Sequence, residues 1–371
     1  MTNESPRSAA VARLKGLAIL MVIVAHSRAS LPEVNWTMNY LSFSQMAVQL
    51  FFVLSGYLVE GSWQRCAPSK KRFYLRRFAA IAPGYWLVLI LTALMNRGVR
   101  AWTGEVPGLT DGTTPLNWLL NFTFLHGFAP EAFRLYAWGG WYIGTTAILY
   151  ALHPLFSRGM KRFGGGLPAA ALLLSWGVSF ALHAAGVEHV WNNNGFWYGF
   201  ALNQLSCYLL GIRLRNNGGK SLHVTGTGCA FLSVLLTVAT AWLMFLSPQP
   251  WKYYVMPGVF GYAVYFMLSG RLEREEAADT RLSRLLMRIG DLSYYIFLIH
   301  PFIVRVAPKY LLMLPALQGA DQNLLLWIFL PFMIVFSCLL AIPVRALCRQ
   351  GTRLLLKLCG GSDSSRKEGA K

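Results

Sequence analysis

Lys15 and His26 lie eleven positions apart in an otherwise apolar run, Arg13–Ser27, RLKGLAILMVIVAHS. On a helix rising 1.5 Å per residue, a lysine at a membrane surface puts this imidazole about 16 Å deeper. An ionisable side chain at that depth costs about 2 kcal/mol or more and faces a cavity or a partner rather than lipid. An imidazole so placed can move a proton or act as a nucleophile, so His26 is a catalytic candidate. His300 sits in another apolar block, about 12 Å along its expected span, and reaches similar depth. The ordinary alternative for His300 is a buried histidine donating to a helix carbonyl. A second kind of chemistry is offered by Gln64–Arg77, QRCAPSKKRFYLRR, with six basic residues in fourteen positions. Arg76 and Arg77 enter the next span at the same surface as Lys15, where guanidinium groups can fork onto phosphate oxygens of a cytosolic ligand. The competing reading of this run is a stop-transfer signal held by lipid headgroups.

The elements that must position these residues are membrane helices. Of 371 residues 55% are hydrophobic and only 13% charged, and the apolar residues fall in blocks rather than at amphipathic spacing. No polar stretch is long enough for a soluble domain, so the expected fold is all-α and integral to the membrane. Spans are expected near 14–31, 44–63, 79–95, 141–156, 167–184, 196–212, 222–246, 251–269, 292–308 and 325–344. With these bounds one side of the membrane holds 27 of the 34 Lys and Arg residues, and the other side and the span ends hold seven. Loops rich in Lys and Arg stay in the cytoplasm, which predicts about ten transmembrane helices with both termini cytoplasmic. Residues 1–345 then form a single polytopic domain, and 346–371 a basic cytoplasmic tail. A cleaved signal peptide ending near Ala25–Ser27 would leave nine spans with the ends on opposite sides, and the charge distribution argues against it. The net charge of +19 reads as topogenic signal and attraction to membrane lipids, not as nucleic-acid binding. The six cysteines and the absence of CxxC or HExxH spacing predict neither disulfides nor a metal site.

Two outer loops carry further signal. Asn96–Gly140 contains LNWLLNFTFLHGF, too short to span and too apolar to float free, so it is expected in the interface or re-entrant. Its Trp102, Trp118, Phe124 and Trp138, with Trp141 just beyond, offer stacking surfaces to a sugar ring or simply anchor the interface. Asn192, Asn193 and Asn194 could bond hydroxyls or make a turn. His126, His153, His183, His189 and His223 fall in loops or near helix ends and receive no functional assignment.

Four stretches together resemble the acyltransferase 3 family of integral-membrane enzymes, which O-acylate extracytoplasmic sugars. They are Lys15 with His26, ten residues between them; the run Phe51–Tyr57, FFVLSGY; Arg76-Arg77 followed by Pro83-Gly84-Tyr85-Trp86; and Ile289–Pro301, IGDLSYYIFLIHP. Each is weak alone, and the joint match in the expected order is specific. The resemblance implies ten spans with both ends inside, in a bacterial inner membrane; the periplasmic hydrolase-like domain that some relatives append is not expected here, because only a short basic stretch follows the last expected span. It also implies acetyl-CoA or another acyl-CoA as donor, and a glycan or lipid-linked saccharide as acceptor, with polysaccharide-assembly proteins as partners.

On that reading Lys15, Arg76 and Arg77 grip the CoA phosphates and the pantetheine arm runs inward to His26. There His26 acts as general base on the acceptor hydroxyl or accepts the acyl group itself, and His300 assists. One departure stands out: where relatives often carry Glu in a GGWSIGVE-type run, this chain has Thr146 within GGWYIGTT. If that Glu orients the histidine, another acceptor must do so here. A transporter of a glycan or small solute built on the same domain, and a scaffold for polysaccharide assembly, are the alternatives from other classes.

Overall fold

The computed structural model describes residues 6–29, 31, 36–66, 69–103, 114–134, 139–192, 195–220, 224–248, 251–269, 272, 280–312, 314–317 and 319–359. Trp138, Asn193, Asn194 and His223, named from the sequence, lie outside them. Among the described residues there are thirteen α-helices, short 3-10 segments and no strand. Ten of the helices are long: α1 (Pro6–Ala29), α2 (Ala47–Cys66), α3 (Lys70–Thr103), α5 (Gly140–Phe163), α6 (Gly166–Ala184), α9 (Ala201–Asn216), α10 (Gly226–Phe245), α11 (Lys252–Leu268), α12 (Arg281–Leu311) and α13 (Gln322–Leu358). The short ones are α4 (Pro115–Phe122), α7 (Glu188–Trp191) and α8 (Phe196–Gly199). Caps set several boundaries: Thr114, Thr225 and Asp321 accept from backbone N–H groups in the first turns of α4, α10 and α13.

The ten long helices coincide with the ten apolar blocks, and six of them are long and apolar enough to cross a membrane: α1, α2 with the turn before it, α3, α6, α10 and α13. Helices α9 and α11 are 16 and 17 residues long, a little under the usual span length. Helices α5 and α12 carry charged ends and inward polar groups. The outer faces of α6, α10 and α13 present Leu173, Phe180, Phe231, Val238, Trp327 and Phe332 outward, while Ser175, Thr240 and Ser337 are buried. That inversion of the soluble pattern is what an apolar solvent selects. Helix α4, about 12 Å long, turns Leu116 and Leu119 outward and buries Asn121, as a helix lying along an interface would.

Helix α12 begins at Arg281, eleven residues before the expected span start at 292, and α13 continues through the expected tail boundary to Leu358. The charged turns are helical although they are not apolar.

Two close helix pairs organise the interior. Helices α1 and α12 form the most extensive pairing among the described residues. A Cβ on Gly16 would lie 2.1 Å from the Leu286 carbonyl oxygen, and one on Gly290 would lie 1.8 Å from that of Ala12. Small residues let the two backbones touch, the usual device for helix association in lipid. The contacts rise together in number, Ala12 and Gly16 with Gly290 and then His26 with His300, so α1 and α12 run parallel. Helices α2 and α9 repeat the arrangement. Gln49 bonds Gln204, Gly56 abuts Tyr208, and Gly61 abuts Arg215, so this pair is parallel too.

Candidate active site

The register of α1 on α12 sets the central geometry. His26 Nδ1 lies 2.8 Å from His300 Nε2, the rings stack with centroids 4.9 Å apart, and His300 Nδ1 lies 3.1 Å from the Ile296 carbonyl oxygen. A carbonyl can only accept, so His300 Nδ1 carries a proton and, with His300 neutral, its Nε2 is an acceptor. His26 Nδ1 must then donate, which places the lone pair of neutral His26 on Nε2. The dyad thus fixes the tautomer that a general base needs, by the logic of a base oriented by a third group. His300 is fully buried, whereas His26 is partly exposed. Pro301 follows His300 directly; it has no N–H and leaves the Phe297 carbonyl without its intrahelical donor, loosening the helix at this point. His300 therefore combines the ordinary role of bonding a helix carbonyl with a specific one, accepting from His26. The position of the missing family Glu, Thr146, is buried on α5, and the dyad itself supplies the acceptor for His26.

Two neighbouring cavities share a wall, and neither His26 nor His300 is on their lining. One, of about 180 Å³, is lined by Lys15, Ser55, Tyr142, Thr146, Ser293 and Phe297, with Ile81 and Tyr150. The other, of about 240 Å³, is lined by Tyr74, Arg77, Phe78, Phe124 and Ala147, and again by Ile81 and Tyr150. Ile81 and Tyr150 form the shared wall, where Tyr150 Oη meets Ser55 Oγ at 3.0 Å. Phe297, at the wall of the first cavity, packs on His300 with ring centroids 5.7 Å apart, one side chain from the dyad. The sequence-predicted cations divide between them: Lys15 lines the first cavity, Arg77 the second, and Arg76 is on the lining of neither. Arg77 donates to Ser62 Oγ at 3.3 Å, lies 6.0 Å from the Tyr150 ring, and its buried Nε has no hydrogen-bond partner among the described residues. A buried guanidinium N–H without an acceptor is an open position for an oxyanion or carbonyl oxygen.

A second buried cluster lies outside the sequence-derived candidates. Glu60 and His153 are fully buried and meet at 3.1 Å. Ser157 and Gln64 also donate to Glu60, at 3.2 and 3.1 Å, and Tyr208 Oη lies 2.9 Å from His153 Nδ1. His153 is inside α5, not at a helix end, and stacks on Phe73. The signal for this cluster was Glu60, the only carboxylate between Glu33 and Glu105 and the only charge within its apolar run. His126 is buried as well, bonding the Gly140 carbonyl oxygen at 2.9 Å and tying the segment before α5 to the start of that helix. Among the described residues no three His, Cys, Asp or Glu side chains are grouped to hold a metal ion.

Apolar helices thus enclose a histidine pair, and Lys15 and Arg77 stand on the walls of two cavities in the same bundle. The family model described as Acyltransferase domain matches residues 9–346, and the chain belongs to that acyltransferase 3 family. It is an enzyme that transfers acyl groups other than aminoacyl groups. No curated protein and no solved structure matches the chain.

Proposed function

We propose that this protein moves an acyl group, most simply acetyl, from cytoplasmic acyl-CoA to a hydroxyl of an extracytoplasmic or lipid-linked glycan, within a bacterial inner membrane. The observation that carries the reading is the His26–His300 bond at 2.8 Å with His300 anchored on Ile296, because it prepares His26 Nε2 as a base. His26 takes the proton of the acceptor hydroxyl as the new C–O bond forms. It returns that proton to sulfur as the C–S bond breaks, so the products are the ester and CoA thiol. His300 holds the His26 ring and shares the charge that develops on it. The cavity walls fit the donor: Lys15 and Arg77 suit phosphate oxygens, and the largely apolar lining near Ile81 and Phe297 suits a pantetheine arm. Arg76 adds charge at the same surface.

We infer ten crossings from the direction of packing. Given that α3 and α6 cross, α2 and α9 can be parallel only if α5 crosses between them. Given that α10 crosses, α12 can be parallel to α1 only if α11 crosses. This parity supports both termini on the basic, cytoplasmic side.

The test is transfer from labelled acetyl-CoA by the purified protein in nanodiscs. His26→Ala should lower the rate by about 10²–10⁴-fold while CoA binding persists. Turnover near the wild-type rate would refute His26 as the base, whereas no transfer of label by the wild-type protein would refute acetyl-CoA as donor.

A further inference from the structure

Arg134 lies in the turn before α5, at the end of that helix opposite Arg158, Lys161 and Arg162. It is therefore on the side away from the basic surface. It follows the buried Ala132 and Phe133, and its guanidinium carbon lies 5.9 Å from the Trp141 ring. The head group rests on Gly195, where φ is +65° and a Cβ would lie 2.7 Å from Nη2. A side chain at 195 would take the space of the cation, and the left-handed backbone there suits glycine. The Nε is buried without a hydrogen-bond partner among the described residues, and the ion pairs among them, His153–Glu60 and His183–Glu188, do not involve Arg134. Burial pulls its pKa down, opposed by Tyr198. A half-buried guanidinium whose Nε is out of reach of water and that has no described counter-charge is costly, and a cation–π contact offsets only part of that cost.

We propose that Arg134 binds an oxyanion of the acceptor, so that the hydroxyl to be acylated belongs to a molecule carrying a carboxylate or a phosphate. This rests on the acyltransferase reading above and narrows its acceptor class. Arg134 connects to the reaction centre through packed rings: Trp141 against Tyr142 at 6.1 Å, Tyr142 against Phe297 at 5.0 Å, and Phe297 against His300. An anion held at Arg134 is thereby seated at the outer side of the helices that carry the dyad. A planar guanidinium forks onto either a sugar carboxylate or a carrier phosphate, and the two sources share that chemistry.

The experiment measures binding to the full-length protein in zwitterionic phosphatidylcholine nanodiscs, by tryptophan fluorescence. The probes are a glucuronic-acid disaccharide against its neutral glucose counterpart, and a polyprenyl monophosphate against the free polyprenol. At least one charged probe should bind roughly tenfold more tightly than its uncharged counterpart, and the pair that differs identifies carboxylate or phosphate. Arg134→Gln should erase the difference and Arg134→Lys should keep part of it, with CoA binding unchanged in both. Equal binding within both pairs, no binding of either charged probe, or a preference that survives Arg134→Gln overturns the proposal. His26-dependent transfer without charge preference sinks this inference alone. A charge preference in a protein that transfers nothing from acetyl-CoA sinks the acetyl-CoA donor of the proposed function instead.

Discussion

Replacing His300 by alanine removes the acceptor of the His26 Nδ1–H and with it the control of the His26 tautomer. The rate of transfer should fall about 10²-fold or more while donor affinity holds; His300→Gln, whose amide oxygen can accept the same bond, should retain part of the rate. Equal rates for His300→Ala and wild type would show that the contact does not orient the base. Thr146→Ala should cost far less, since the dyad already supplies the acceptor. Glu60 acts differently. Its carboxylate accepts from Ser157 and Gln64 and faces His153 at 3.1 Å, and Glu60→Ala strands them in a buried site. Thermal unfolding should show a loss of about 3–5 kcal/mol, with a smaller loss for Glu60→Gln. Both histidines of the pair were legible singly as candidates, from imidazoles in apolar runs. Their meeting was not, because the two residues are 274 positions apart and their register is set by glycine contacts that no local pattern encodes. His153 was read as a helix-end residue, since hydropathy alone does not say which flank of a helix is covered.

At the level of helices, the α1–α12 pair should be intolerant of a single methyl group. Gly16→Ala would place a Cβ 2.1 Å from the Leu286 carbonyl oxygen, a clash with backbone that cannot rotate away. The helices would have to separate, at a cost of about 1–3 kcal/mol or more, and the His26–His300 bond would open with them. Acyl transfer should fall sharply in Gly16→Ala and in Gly290→Ala. Gly177→Ala on α6, where nothing lies within 4 Å, is the control and should leave activity and stability unchanged. The positions of the long helices followed from apolar blocks because lipid demands them. Their ends did not: α12 starts at Arg281 and α13 runs to Leu358. Hydropathy marks the hydrocarbon-facing part of a helix, whereas its hydrogen-bonded length continues through arginine-rich turns.

For the molecule as a whole, the packing parity and the basic-residue distribution make the same expectation. Reporter fusions should place the N-terminus, the C-terminus and Gln64–Arg77 on the cytoplasmic side, and the segment around Pro115–Phe122 outside; an external C-terminus would remove the ten-crossing arrangement. The parallel pairing of α1 with α12 also dictates an order of events during synthesis. The partner of the first helix is nearly the last to be made. At about 5–20 residues per second, the 274 residues between His26 and His300 take on the order of 10–60 s to emerge. Throughout that interval α1 sits in the bilayer with its Gly16 seam unfilled and its histidine lacking its native partner. The His26–His300 pair is thus a late product of biogenesis, and a nascent chain that stalls after α11 carries His26 without the helix that completes the proposed site.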